Sequence, residues 1–145
     1  MDGQAKEAAL DEAKFRLEDE AKIRATVTDY MEGYYFADAE RMERSLHPHL
    51  AKRAYLPGPD GKPRISFMSA MELVQVTRKS KDRNRRAEVA ILDRYGSAAS
   101  VKATMAEWVD YMHLVKVGTE WKIINVLWEL TPEAWKAWGG GARAA

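Results

Sequence analysis

The feature that most limits the fold is an alternation in the last third of the chain. From Ala87 to Leu130 apolar residues recur at nearly every second position, interrupted at Gly96-Ser97 and at Gly118-Thr119-Glu120. That period belongs to β-strands with one buried face. "AEVAILDRY" (Ala87–Tyr95) is one strand and "WKIINVLWEL" (Trp121–Leu130) is the last. Between them Ala98–Val117 reads as one very long strand, or as two with a bend. Strands joined by such short turns pair antiparallel, so this part of the chain is a meander.

Parity then assigns faces. In an unbroken strand Ala99, Val101, Ala103, Met105, Glu107, Val109, Tyr111, His113, Val115 and Val117 lie together. This mostly apolar side is expected to look inward, with Trp121, Ile123, Asn125 and Leu127 from the last strand. The opposite side carries Trp108, Asp110, Met112 and Leu114, joined by Ile124, Val126 and Trp128. An outer face with such an apolar centre suits a second subunit. A β-bulge near Val109 would swap the parity of everything before it and bring Trp108 inside with His113.

The chain before the meander is helical. Residues 1–18 favour helix but carry only a thin apolar stripe, and are read as a flexible lead-in. Ile23, Val27, Tyr30, Met31 and Tyr34 then mark a helix from about Asp19 to Ala37. Asp38 is an N-cap for a short second helix, "AERMERSL", which Pro48 ends or bends. Arg53–Leu56 and Arg64–Met68 flank a Pro/Gly-rich turn and form a hairpin. Ser69-Ala70-Met71-Glu72 matches a capping box and starts a third helix that buries Ala70, Leu73, Val74 and Thr77. Residues 78–86, "RKSKDRNRR", are read as a solvated loop. The domain spans 19–131, and 132–145 are read as a loose tail. The fold class is α+β, with three N-terminal helices on a curled antiparallel sheet and a pocket between them.

Composition removes several function classes. Lys and Arg number 23 against 22 Asp and Glu among 145 residues, which argues against nucleic acid or an anionic membrane as partner. The absence of cysteine excludes disulfides, thiolate metal sites and a cysteine nucleophile. No window has the apolar length of a membrane span, and the first residues lack a signal-peptide core, so a cytoplasmic location is expected. His47-Pro48-His49 is the nearest approach to a metal site, but helix termination explains it, and no metal or cofactor is expected.

The helix order and the "WKI" at Trp121–Ile123 resemble the NTF2-like, or cystatin-like, cone superfamily, which includes ketosteroid isomerase, scytalone dehydratase and the SnoaL-like polyketide cyclases. Ile23–Arg53, Ser69–Val74 and Ala98–Leu130 are similar to a narrower family of small bacterial proteins, called putative lumazine-binding. The resemblance implies a pocket inside the cone and transmits no reaction.

Three readings of function follow. The first is a binder of a small apolar or aromatic molecule, with Tyr30, Tyr34, Trp108, Tyr111 and Asn125 as ligand-pocket residues. The second is an isomerase, dehydratase or hydrolase-type enzyme using His113 with Glu107 or Asp110, since a carboxylate set among apolar residues takes a perturbed pKa suited to proton transfer. His113 and Asp110, at i and i+3, point to opposite faces of a flat strand. The third is an interaction module with a vestigial pocket. A homodimer through Trp128, Val126, Met112 and Leu114 is expected in each case.

Overall fold

The computed structural model describes residues 3–80 and 84–141. Helix α1 (Gly3–Tyr35) is followed by α2 (Ala39–Ser45), strands β1 (Leu46–Pro57) and β2 (Pro63–Ser69), and helix α3 (Ala70–Thr77). Strands β3 (Glu88–Tyr95), β4 (Ala98–Thr104), β5 (Trp108–Val117) and β6 (Glu120–Leu130) precede helix α4 (Pro132–Ala137). One six-stranded sheet has the order β2-β1-β6-β5-β4-β3. All neighbours are antiparallel except β1 and β6, which run parallel, so the sheet is mixed rather than wholly antiparallel.

Local chemistry starts α2 and α3 where the sequence placed them, while α1 runs back from Asp19 to Gly3 through the expected lead-in. The Asp38 side chain accepts from the Arg41 amide and starts α2. Ser69 and Glu72 form the capping box of α3. Between α1 and α2 the backbones nearly touch: a Cβ on Gly33 would lie 2.9 Å from the Met42 nitrogen, so only glycine allows this approach. Arg41 and Arg44 both bond Asp29 and hold the same corner from outside.

The core lies between α1 and the sheet. Ile23, Val27, Tyr30 and Met31 of α1 are buried against Val101, Met112, Leu114, Trp121 and Ile123. Asp19 marks where the helix leaves the sheet. Its carboxylate accepts from Trp121 Nε1 at 3.1 Å and pairs with Lys116 Nζ at 2.9 Å. Burial opposes the charge there, yet Lys116, Trp121 and Arg94 together hold the Asp19 carboxyl below the ordinary carboxylate value. The residues of α1 before Asp19 are largely exposed, Leu10, Phe15 and Leu17 among them.

Three differences from the sequence reading matter. Ala98–Val117 is a tight hairpin, in which Met105 N donates to Trp108 O at 2.9 Å and the chain reverses through Ala106 and Glu107. The last strand carries a bulge: His113 faces Asn125 while Leu114 faces Ile123, leaving Ile124 unopposed. Residues 132–137, read as the start of a loose tail, form α4, with Thr131 as N-cap and Trp135 buried. The centre of the basic run 78–86, at 81–83, lies outside the described residues.

Candidate functional site

The hairpin and the bulge together decide which side chains face the helices. The hairpin turns Trp108, Asp110, Met112 and Leu114 inward, all four buried. The bulge keeps Trp121 and Ile123 inside, then brings Val126, Trp128 and Leu130 to the same side. This inverts the expected faces of β5 and of β6 beyond the bulge. Trp128, Val126, Met112 and Leu114 belong to the interior and are not available to a partner. Tyr111, His113, Asn125 and Leu127 lie exposed on the outer face.

Inside the cone one polar group of residues stands out. Tyr30 comes from α1, Lys52 from β1, and Trp108 and Asp110 from β5. Asp110 has no solvent exposure, Tyr30 has 1% and Lys52 has 7%. The Asp110 carboxylate accepts from Trp108 Nε1 at 3.0 Å and from the Tyr30 hydroxyl at 3.3 Å. The same hydroxyl accepts a hydrogen bond from Lys52 Nζ. Tyr30 therefore bridges the two charged groups. Nζ meets Tyr30 at this oxygen, so the pair is a hydrogen bond and not a cation over a ring face.

Aromatic rings surround this centre. Tyr34 meets Trp108 edge-on with centroids 5.2 Å apart, and Trp108 lies 5.5 Å from Trp128. Lys52 Nζ is 5.4 Å from the Trp128 ring centroid. On its other side Trp128 meets Trp138, just past α4, at 6.2 Å. The segment after the last strand thus closes one end of the aromatic wall. Thr131 N helps hold it there by donating to Glu107 O at 2.8 Å.

Burial shapes the proton affinities in this group. Loss of water raises the Asp110 carboxyl above its ordinary value, against the pull of Lys52, Trp108 and Tyr30. Burial lowers the Lys52 amine, against the attraction of Asp110. It also raises the Tyr30 phenol well above the usual range, and the Asp110 charge adds to this. The set therefore joins a carboxyl that holds its proton more tightly than usual, an amine that holds its proton less tightly, and a hydroxyl between them.

Four sequence candidates meet here: Tyr30, Tyr34, Trp108 and Asp110. Four others do not. Glu107 lies exposed in the hairpin turn, and Tyr111, His113 and Asn125 are on the outer face, with Asn125 Nδ2 3.5 Å from His113 Nδ1. The expected inward set of Glu107, Tyr111, His113 and Asn125 is thus corrected, and the cause is the parity swap. Asp110 and His113 do occupy opposite faces, as their spacing requires. Lys52 was not anticipated, although a signal existed: Leu50, Lys52 and Ala54 share one strand face, and the other two are apolar.

Several hollows lie away from this centre. One of about 450 Å3 is lined by Glu43, Leu46, Pro48, Met71, Val74 and Arg78. Another, about 290 Å3, borders His113, Ser100 and Tyr95. We place the candidate site at Asp110 despite them, because buried ionisable groups carry chemistry that an apolar surface groove does not. The His47 and His49 rings lie 5.0 Å apart, and among the described residues no group of three metal-ligating side chains forms. Among them too, no helix is long and apolar enough to cross a membrane.

The model of a family described as "Putative lumazine-binding" matches residues 18–129. An NTF2-like protein of unknown function from Shewanella baltica OS155 superposes with a TM-score of 0.64 at 20% identity, over 80% of this chain and 96% of its own. Another from Silicibacter pomeroyi DSS-3 gives 0.68 at 15% identity, over 80% and 98%. A ketosteroid isomerase-like protein from Erwinia carotovora atroseptica gives 0.57 at 15% identity, over 77% and 96%. At these identities the likeness shows the fold alone, an NTF2-like α+β cone. No curated protein matches the sequence.

Proposed function

We propose, from the premise that this chain belongs to the "Putative lumazine-binding" family, that it binds a small aromatic molecule inside the cone. The ligand's rings would lie against Tyr34, Trp108 and Trp128, with a polar edge at Tyr30, Lys52 and Asp110. One observation carries the reading: a carboxyl with no solvent exposure, held by an indole and a phenol and set near a buried amine. A core of this size is better stabilised by apolar side chains, so a buried carboxyl and a buried amine together point to a use. An acid–base enzyme remains the second reading, and the opposed shifts of Asp110 and Lys52 support it. Its proton-transfer groups would be Asp110 and Tyr30 rather than His113 and Glu107.

Tryptophan emission tests the binding site, since Trp108 and Trp128 would touch the ligand. Titration with lumazine is expected to quench it saturably. Tyr30→Phe is expected to weaken the affinity about 10-fold, the worth of one hydrogen bond to a charged group. Absence of saturable quenching by lumazine and by simpler fused-ring aromatics would refute the site.

Self-association belongs to the same reading. The outer sheet face presents Phe67, Leu127 and Tyr111 in one cross-strand row with Arg53 and Lys102, and the three apolar members are about half exposed. A second copy is the occupant we favour, because a two-fold contact sets such a row against itself. Sedimentation is expected to give a dimer, and Leu127→Glu a monomer. A parent that sediments as a monomer at high micromolar concentration overturns this.

A further inference from the structure

Lys52 has a position that ligand binding alone does not require. It is a lysine with 7% exposure on the apolar face of β1, between Leu50 and Ala54. The Tyr30 hydroxyl, and not a carboxylate, takes its hydrogen bond. A compact ammonium loses strong hydration when buried, so an amine in this setting gives up its proton more readily than one on the surface. An unprotonated amine is a nucleophile, and carbonyl carbon is its usual electrophile. The Tyr30 hydroxyl sits between this amine and Asp110, where a proton can be passed either way. The rings of Trp108 and Trp128 supply an aromatic wall beside it.

We infer that Lys52 captures an aromatic aldehyde or ketone as an imine. This rests on the cone site proposed above and names the class of ligand it takes. In the first step Nζ attacks the carbonyl carbon. A C–N bond forms, the C=O π bond breaks, and the carbonyl oxygen takes a proton from the Tyr30 hydroxyl while nitrogen releases one. In the second step that oxygen takes another proton by the same route and leaves as water, and nitrogen loses its remaining proton as C=N forms. Amine plus carbonyl gives imine plus water, with no oxidant or reductant. Asp110 exchanges the proton that Tyr30 passes, which is the role open to a buried carboxyl hydrogen-bonded to that hydroxyl.

The test is trapping with 2-naphthaldehyde and sodium cyanoborohydride at pH 7, followed by peptide mass spectrometry. Lys52 is expected to be modified about 10-fold faster than the exposed Lys6, Lys62 and Lys136. Tyr30→Phe is expected to slow the reaction at Lys52 and leave Lys62 unchanged. 2-Naphthalenemethanol, which has no carbonyl, separates the two claims through tryptophan quenching. If it binds saturably while Lys52 is modified no faster than Lys62, the imine is overturned and the binding site stands. If it does not bind and Lys52 is unmodified, both fall. Lys52→Met should abolish the fast adduct, and a fast adduct at any other lysine in that variant overturns the assignment.

Discussion

Asp110→Ala is expected to destabilise the fold by about 3 kcal/mol at neutral pH. That is the usual scale for removing one partner from a buried charged group. Trp108 Nε1 and the Tyr30 hydroxyl lose their acceptor, and Lys52 loses the negative charge beside it. The effect carries a sign in pH. Burial lowers the Lys52 amine, so below the ordinary lysine range the folded variant binds fewer protons than its unfolded chain. Its stability therefore rises with pH, from the lowered amine value up to the ordinary one. In the parent, Asp110 adds the opposite slope: its raised carboxyl makes the folded state the better proton binder, so stability falls as pH rises from the ordinary carboxylate range through the raised value. Urea melts at pH 6 and pH 9 should show the variant gaining on the parent at the higher pH. Equal changes in variant and parent between pH 6 and pH 9 would show that loss of Asp110 does not lower the Lys52 amine further.

Trp121→Ala is the other large effect, about 4 kcal/mol. The side chain is 2% exposed and spans the join between α1 and β6. Its removal opens a cavity, the kind of change that costs most in a close-packed interior. It also takes the indole donor from Asp19, which keeps Lys116 and Arg94 as partners. Trp121→Phe is the milder change, since it keeps one ring and loses the N–H with the rest of the indole, for about 1–2 kcal/mol. Chemical denaturation reads both variants, and an alanine variant within 1 kcal/mol of the parent would mean that the seam repacks.

Helices α2 and α3, the core-facing part of α1 and most strand bounds were legible in the sequence because local chemistry decides them. Asp38 and Ser69 with Glu72 act on the next three residues and need no tertiary context. Ile23, Val27, Tyr30 and Met31 announce their buried stripe by spacing. The faces of β5 and of β6 past its bulge were not legible, because parity propagates any single error along a whole strand. The reversal at Ala106-Glu107 lacks the Gly, Pro or Asn that usually marks a hairpin, and neither residue takes a positive φ. The bulge at Ile124 lies beside Ile123, in a pair of identical apolar residues where one surplus residue leaves no trace. The parallel pairing of β1 with β6 was hidden too, since the two strands are far apart in the chain. Tyr30, Tyr34, Trp108 and Asp110 were nonetheless named, three of them for their aromatic character and Asp110 as a carboxylate set among apolar residues. Lys52 required knowing that β1 sits inside the sheet, and residues 53–56 alone read as one arm of a surface hairpin.

The surplus residue at Ile124 also governs how this strand can be edited over evolutionary time. Side chains on a pleat keep their phase only when residues are gained or lost in pairs. Loss of Ile124 is the exception, because it removes the surplus: Ile123 and Val126 would then stand two positions apart, the strand would alternate regularly, and Trp128 would stay inward. Loss of two neighbouring codons there would instead turn Trp128 outward and carry Leu127 inward, so this stretch tolerates one deletion and not two.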